Sequence, residues 1–421
     1  MKVQYFALDL FSGAGGLTEG FLRHQYSFVS HIEMNGHAAK TLETRSMYHE
    51  LKKKHQMSLY REYLEEAFDR FEFLDQYQLL GNDNINILET PLSDTTEQEL
   101  TDDVHQIMRE RDIDHVDVIV GGPPCQAYSV IGRSRDENRM EFDPRNYLYR
   151  HYINFLNEFK PEIFIFENVP GLKTAKNGSI YSNIQEEFKR IGYTVQAKTL
   201  NSADFGILQN RKRIIFIGWK EEHDLDYPEF QSIECKHTIW DLLADLPPLK
   251  PGEGMQGAGL DYLESVNPYL KKSGIRNEND ILTHHIARPH IDRDREIYRI
   301  AINLWNNERR RLKYDELPDS LKTHKNQRSF LDRFKVVDGE GLSHSIVAHI
   351  AKDGHYFIHP DLAQARSISV REAARIQSFP DDFKFEGPRT AQFTQIGNAV
   401  PPLMAERIAG KISGMLKKIN H

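Results

Sequence analysis

Apolar residues fall into two textures along the first half of the chain. Short runs, apolar almost throughout and rich in β-branched and aromatic residues, occur at VQYFALDLF, YSFVSHIEM, HVDVIVGG, EIFIFENV and RIIFIGW. Between them lie stretches with apolar residues at helical spacing, such as GAGGLTEGFLRH and NYLYRHYINFLNEF. A strand with one wet face alternates apolar and polar residues. These runs do not, so they predict strands buried on both faces. Such strands separated by helices predict an α/β fold with a parallel sheet between two helical layers. Residues 46–80 interrupt the alternation. They read as one or two long helices with Tyr60, Leu64, Ala67, Phe68 and Phe71 on one stripe, a helical insertion packed on the sheet domain.

The texture changes after about residue 220. PP and PGEG punctuate residues 247–254, and Pro, Gly, Asn and charged residues become frequent. A helix is expected from about Arg293 to Arg311, with Ile297, Ile300, Ala301, Leu304 and Trp305 inward. SHSIVAHI and HYFIHP read as paired strands around Lys352-Asp353-Gly354. The last stretch, from Thr390, reads as a turn followed by an apolar helix. Three units follow: 1–220, 221–385 and 386–421.

The length suits one large domain with a smaller one. The chain carries 54 Lys and Arg against 62 Asp and Glu, a net charge of -8, which argues against a polyanion as partner. The distribution changes that picture. Residues 271–335 hold 16 basic and 10 acidic side chains. A basic segment on an acidic body is the footprint of a nucleic-acid face, although a solvated, charge-paired surface accounts for it equally well. No apolar run approaches a membrane span, and the first residues lead straight into a strand without a charged leader. Two cysteines, Cys125 and Cys235, make neither a disulfide framework nor a zinc site. A cytoplasmic protein with no metal is the expectation.

The candidate chemistry sits at the ends of the strands. DLFSGAGGLTEGF places Gly13, Gly15 and Gly16 between the first strand and first helix, after Asp9. Glycines there let a ligand approach the backbone closely. Glu33 ends the second strand, where a carboxylate can accept both hydroxyls of a ribose. The turn is neither the GxGxxG of dinucleotide enzymes nor a P-loop. A nucleoside cofactor without a pyrophosphate fits, and S-adenosylmethionine is one. Cys125, after Gly121-Gly122-Pro123-Pro124, is held on a stiff turn without a core to fill, as a nucleophile would be. Glu167 ends the strand EIFIFENV. Arg211 and Arg213 lie two apart on an extended chain, on one side of it.

Six segments stand in order: DLFSGAGGLTEGF, GGPPCQAYS, ENVPGL, QNRKRIIFIGW, RSISVREAARIQSFPDDF and QIGNAVPP. They resemble the ordered motifs of bacterial DNA (cytosine-5)-methyltransferases of the restriction-modification type, and they reach from residue 9 to residue 402. The resemblance implies a Rossmann-like S-adenosylmethionine-dependent methyltransferase sheet with a smaller, mixed target-recognition domain at 221–385. The segment 386–421 would return to the catalytic domain. It implies methyl transfer to C5 of a cytosine flipped out of double-stranded DNA, through a covalent bond from Cys125 to C6, with S-adenosylhomocysteine as product. Phe11 would stack on the adenine, Gly13 and Gly15 would cradle the methionine part, Glu33 would hold the ribose, and Asp9, Ser12 and Gly16 would be further cofactor contacts. Pro124 and Cys125 match the catalytic pair, Glu167 the ENV glutamate, and Arg211 and Arg213 the QxRxR pair, with Arg213 preferred for O2 of the base. Asn398 and Val400 would return to the cofactor.

Two positions depart from the family pattern. Met34 stands where an aromatic or aliphatic residue is usual and would cover the adenine. The acidic contact to the adenine amine is blurred in GNDNINIL, where Asp83 or Asn84 can serve and Asp83 is preferred. Residues 130–146 resemble the family's mobile loop over the DNA. Gln126 and Ser129 before it, Arg133 and Arg135 in it, and Arg309, Arg310, Arg311 and Lys325 in the basic segment, are expected to contact DNA. A monomer is expected, serving a restriction or other defence system or acting alone.

Overall fold

The first apolar run becomes β1 (Tyr5–Leu10), hydrogen-bonded in parallel to β2 (Tyr26–Ile32) on one side and β4 (Val118–Gly121) on the other. A short β3 (Ile87–Leu88) extends the sheet beyond β2, and β5 (Ile163–Asn168) extends it beyond β4, both in parallel. Next to β5 lies β8 (Lys212–Lys220), and β6 (Tyr193–Asn201) forms the edge, giving the order β3-β2-β1-β4-β5-β8-β6. The computed structural model describes residues 4–81, 85–124, 148–254, 260–323 and 331–419.

The α/β reading holds, with one correction. RIIFIGW, in β8, runs antiparallel to both of its neighbours. The chain between β6 and β8 contains a 3₁₀ turn at Ser202–Phe205 and the two-residue β7 (Gln209–Asn210), with no crossover helix. Without one, a strand can only come back antiparallel. Both faces of the sheet are covered, which explains the unbroken apolar runs. In β4 and β5, Ile119, Phe164 and Phe166 face one core, shared with Tyr152 and Phe188. Val118, Val120, Ile163 and Ile165 face another, shared with Leu17, Phe21, Met404 and Ile408. The first core is closed by α5 (Glu97–Glu110), α6 (Leu148–Phe159) and α7 (Ser179–Arg190). The second is closed by α1 (Gly16–Leu22) and the C-terminal helix α13 (Pro402–Ile419).

The insertion is built from three helices: α2 (Gly36–Lys53), α3 (Met57–Leu64) and α4 (Arg70–Leu79). The expected single stripe fails at its end, since Ala67 is exposed and Phe71 is 70% exposed. Asp69 accepts from the N–H groups of Phe71 and Glu72 and restarts the helix, which resets the phase. Tyr60, Tyr63, Leu64, Phe73 and Tyr77 are the residues that turn inward. The insertion also reaches the second half of the chain. Tyr60 donates to the carbonyl of Asp382 at 2.7 Å and Tyr63 to the carboxylate of Glu386 at 2.8 Å.

In the second half, α8 (Ile239–Leu243), α9 (Pro268–Ser273) and α11 (Val370–Ile376) share a core with Phe393, Ile396 and Ala399, so that core runs unbroken past residue 385. A smaller core surrounds α10 (Asp292–Glu308), which buries Ile297, Tyr298, Ala301 and Ile302, and ends where Arg309 turns left-handed at φ 54°. The expected hairpin around Lys352-Asp353-Gly354 does not form. Ala348–Ala351 makes a 3₁₀ turn instead, and Arg288 takes the carbonyls of Ile350 and Lys352 that a ladder would need. Ser343–His344 (β9) pairs with β7 in parallel. TAQFTQIGN, expected as a turn, is helical in α12 (Arg389–Asn398).

Candidate active site

All five parallel strands from β1 to β5 end at one cavity of about 640 Å³. Phe11, Ser12 and Gly13 follow β1, Glu33 and Met34 follow β2, Thr90 and Leu92 follow β3, Gly122 to Pro124 follow β4, and Glu167 lies at the end of β5. Asn398, Ala399, Val400 and residues of α12 close the opposite side. Ligands of open α/β sheets bind at this edge, where the strand order reverses.

At one end stands Glu33. Its Oε2 accepts from the Gly13 N–H and its Oε1 from the Asn35 N–H, each at 2.7 Å. Burial pushes its carboxyl above the usual range, against the pull of those N–H groups and that of Met34. Four lone-pair sites on a carboxylate leave room for two ligand hydroxyls as well. Met34 is 64% exposed at the rim. The turn beside it is left-handed at Phe11 (φ 56°), Gly13 (57°) and Gly15 (79°). At Gly16 a Cβ would lie 2.2 Å from the carbonyl oxygen of Val400, so only glycine lets the turn meet the C-terminal wall.

Two expected cofactor residues stand behind the cavity. Gly15 caps α1 against Leu42. Asp9 is fully buried; its Oδ2 accepts from the Thr18 hydroxyl at 2.6 Å, and burial raises its pKa to about 7. Both shape the turn without lining the cavity.

At the other end Glu167 keeps 14% of its side-chain surface exposed, and its Oε1 meets Nε of Arg213 at 2.7 Å. Burial raises its pKa, and the charges of Arg213 and Arg211 only partly offset this. A carboxyl so placed holds a proton more readily than a free one, beside a fixed cation. The Cα of Gly122 packs against this carboxylate, where a Cβ would stand 2.8 Å from Oε2. Pro124 lines the cavity between the two ends. Cys125 follows it directly, outside the described residues, as are Gln126, Ser129, Arg133, Arg135, Asp83 and Lys325.

The expectation that Arg211 shares Arg213's surroundings is corrected. Arg211 is fully buried and donates to the carbonyls of Ile346, Gly397 and Ala399. Of the basic residues expected on DNA, two have carboxylate partners of their own. Arg309 pairs with Asp338 at 2.6 Å, and Arg310 with Glu316 at 2.7 Å and Glu308 at 3.5 Å. Arg311 is exposed, 5.9 Å from the centre of the Trp305 ring.

Sequence reasoning missed two parts of the wall. Thr390, Ala391, Thr394 and Gln395 line the cavity from α12; their spacing of three and four after Pro388 is the signal for a helix. The other is the end of β3. Leu88 accepts from the Glu33 N–H at 3.1 Å, which sets Glu89 and Thr90 beside Glu33, and Glu89 reaches Gly36 at the start of α2. The short Ile87-Leu88 run followed by a carboxylate was the signal.

The cavity fits S-adenosylmethionine on three counts. Its volume lies within the range of small-molecule sites. It offers a carboxylate at the ribose position, and it has a glycine turn with apolar walls (Phe11, Leu17, Leu92, Val400) for the remainder. Among the described residues, Glu162, Glu222 and His223 have the spacing of metal ligands, but they sit at the opposite edge, where Lys220 already pairs with Glu162 at 2.5 Å.

The family model for C-5 cytosine-specific DNA methylases matches residues 84–414. The chain is 44% identical to the Type II methyltransferase M.Bpa9945I of Bacillus paralicheniformis, over 97% of this chain and 98% of that protein. It is 30% identical to the Type II methyltransferase M1.HphI of Haemophilus parahaemolyticus, over 97% and 86%. Among solved structures, a candidate DNA modification methyltransferase encoded in an E. coli prophage matches with a TM-score of 0.65 at 22% identity, covering 98% of this chain and all of that one. A methyltransferase of Entamoeba histolytica matches at 0.55 and 14% identity, over 99% of both chains. The chain belongs to the C-5 cytosine-specific DNA methylase family and is a DNA cytosine-5 methyltransferase.

Proposed function

We propose that this enzyme methylates C5 of a cytosine in a specific short sequence of double-stranded DNA, with S-adenosylmethionine as donor. The observation that carries the reading is the continuity of the cavity. It joins Glu33 at one end to Pro124 and Glu167 at the other, so that a donor held at Glu33 and a base held at Glu167 share one space. Bound there, S-adenosylmethionine supplies an electrophilic methyl group on a sulfonium sulfur and leaves as S-adenosylhomocysteine.

The chain's own residues do the rest. The target atoms lie inside the base stack, so the cytosine is flipped into the cavity. The Cys125 thiolate adds to C6, forming a C6–S bond and making C5 nucleophilic. Glu167 shares its proton with N3 during addition, and its raised pKa suits it to hold that proton. Arg213, fixed by its ion pair with Glu167, faces O2 and stabilises the charge that develops there. Once C5 carries the methyl group it loses its proton to a base, and the C6–S bond breaks to release Cys125. The Type II relatives support a role in restriction-modification or related defence, and the enzyme is read as a cytoplasmic monomer. Among the described residues no helix is long and apolar enough to cross a membrane.

Bisulfite sequencing of DNA from cells expressing the enzyme tests the reading, with Cys125→Ser beside it. Methylated cytosines in one short motif, absent with Cys125→Ser, are expected. Unmethylated DNA from cells holding folded protein that binds S-adenosylmethionine would overturn the DNA substrate and point to RNA.

A further inference from the structure

Arg211 stands outside the cavity, yet its hydrogen bonds hold one of the cavity's walls. Nη1 donates to the carbonyl of Ile346, and Nη2 to those of Gly397 at 2.9 Å and Ala399 at 2.8 Å. Two fully buried glutamines complete the clip. Gln209 accepts from the Ile346 N–H at 2.8 Å and donates to the Ile376 carbonyl at 3.0 Å and to the Gln377 side chain. Gln377 donates to the carbonyls of Ile396 at 2.8 Å and Ala399 at 3.0 Å.

Of these carbonyls, those of Ile396, Gly397 and Ala399 belong to the end of α12 and the residue just after it. The last carbonyls of a helix have no partner within it. Here Arg211 and Gln377 supply partners, and the same stretch carries Asn398, Ala399 and Val400 into the cavity. A second observation is independent of the hydrogen bonds. At Gly397 a Cβ would lie 2.2 Å from the amide nitrogen of Ala348, so the helix end is pressed onto the start of the 3₁₀ turn at Ala348–Ala351, just after the Ile346 that Arg211 also holds. The wall therefore has a fixed backing, built from residues that face away from the ligand.

We propose that Arg211, with Gln209 and Gln377, is a positioning residue for cofactor binding: it fixes the Gly397–Val400 wall in the shape that receives the cofactor, and it does not touch the base. The inference rests on reading the cavity as the S-adenosylmethionine site. It predicts a separation that a base-contacting arginine would not give. Loss of the clip weakens cofactor binding, while chemistry at saturating cofactor survives.

The test uses the full-length enzyme with Arg211→Met and Arg211→Lys, and with Gln377→Met as a milder break of the same clip. Binding of S-adenosylhomocysteine is measured by calorimetry, the thermal midpoint without ligand by scanning, and kcat and cofactor KM on DNA that the wild type methylates. For Arg211→Met, affinity for S-adenosylhomocysteine and cofactor KM should worsen on the order of tenfold or more, with kcat roughly retained and partial rescue by Arg211→Lys. Gln377→Met should shift the same two quantities in the same direction, and it carries the test if Arg211→Met does not fold. Unchanged affinity with a collapsed kcat would return Arg211 to the base and overturn the proposal. A lowered midpoint with unchanged affinity would overturn it too, leaving a purely structural role. Failure of the wild type itself to bind S-adenosylhomocysteine would instead strike the cofactor reading, so the two failures are distinct.

Discussion

Glu167 and Arg213 are held against each other by register. Glu167 pairs with Ile215 across β5 and β8, and Arg213 follows two residues away on the same face. The carboxyl is therefore buried next to a cation, and burial is the larger influence on its pKa. Because the raised pKa favours the acid form, Glu167→Gln keeps the shape and removes the transferable proton. Turnover in a tritiated-methyl assay should fall by about 10²–10⁴-fold, the usual weight of a positioned acid. The pH profile should change as well. In the wild type, activity falls as pH rises through the raised pKa and the acid form is lost. In Glu167→Gln the small residue of activity should follow only the Cys125 thiolate and rise with pH. Turnover near the wild-type level would remove Glu167 from this role. Glu167, Glu33 and Arg213 were legible in the sequence because each lies on or directly after a recognisable apolar run. Arg211 was not. Two-residue spacing puts side chains on one side only within a continuous strand, and Arg211 falls in the break between β7 and β8.

The elements behind the cavity are joined by a buried ion network that no periodicity announces. Arg45 of α2 donates through Nε and Nη2 to both oxygens of Glu19 on α1, at 2.8 Å each, and through Nη1 to Asp382 at 2.9 Å. His49 adds a contact to Glu19 at 3.0 Å. The helix after the glycine turn is thereby tied to the insertion and to the segment after α11. The pattern of apolar residues located α2 and α3 but not their contacts with Asp382 and Glu386, since hydrophobic spacing says nothing of which tyrosine hydroxyl will find which carboxylate. It missed α12 for a related reason: an interface made by Thr390, Thr394 and Gln395 leaves a weak apolar stripe. Arg45→Met would leave Glu19 and Asp382 buried without their cation, and the loss should be about 3–5 kcal/mol in urea unfolding at pH 7. Arg45 chiefly, and then the contact with His49, hold Glu19 well below the usual carboxylate range, although burial opposes them. Its contribution is thus present above the unfolded-state pKa and fades as pH falls toward the folded one. The gap between wild type and Arg45→Met should therefore narrow on acidification from pH 7, because burial without the cation raises the pKa of the stranded carboxylates and they take up protons first. A gap that is small at pH 7, or that widens in acid, would show that the network is not what holds these helices together.

Charge is arranged across the whole molecule in a way that composition cannot show. The basic segment 271–335 is the part of an acidic chain that sequence reasoning assigns to DNA, yet much of its charge is neutralised locally. Arg309 lies on Asp338, Arg310 on Glu308 and Glu316, Lys322 on Asp319, and Lys335 on Asp332 at 2.7 Å. A cation already paired with a carboxylate holds fewer counterions to exchange with a phosphate, so it adds little to the salt dependence of DNA binding. Lys212 is placed differently. It is exposed at the start of β8, between Arg211 and Arg213, at the edge of the sheet where the cavity opens, and among the described residues it makes no ion pair. Binding of a mixed-sequence duplex, followed by anisotropy over a series of salt concentrations, separates the two cases. Arg309→Ala and Arg310→Ala should leave the slope of log K against log salt as it is in the wild type. Lys212→Ala should reduce it by about one and weaken binding at low salt by a similar factor on every duplex, because a phosphate contact positions DNA without reading it. A slope reduced by Arg309→Ala and untouched by Lys212→Ala would place the DNA on the basic segment after all, with its ion pairs opening to receive the backbone.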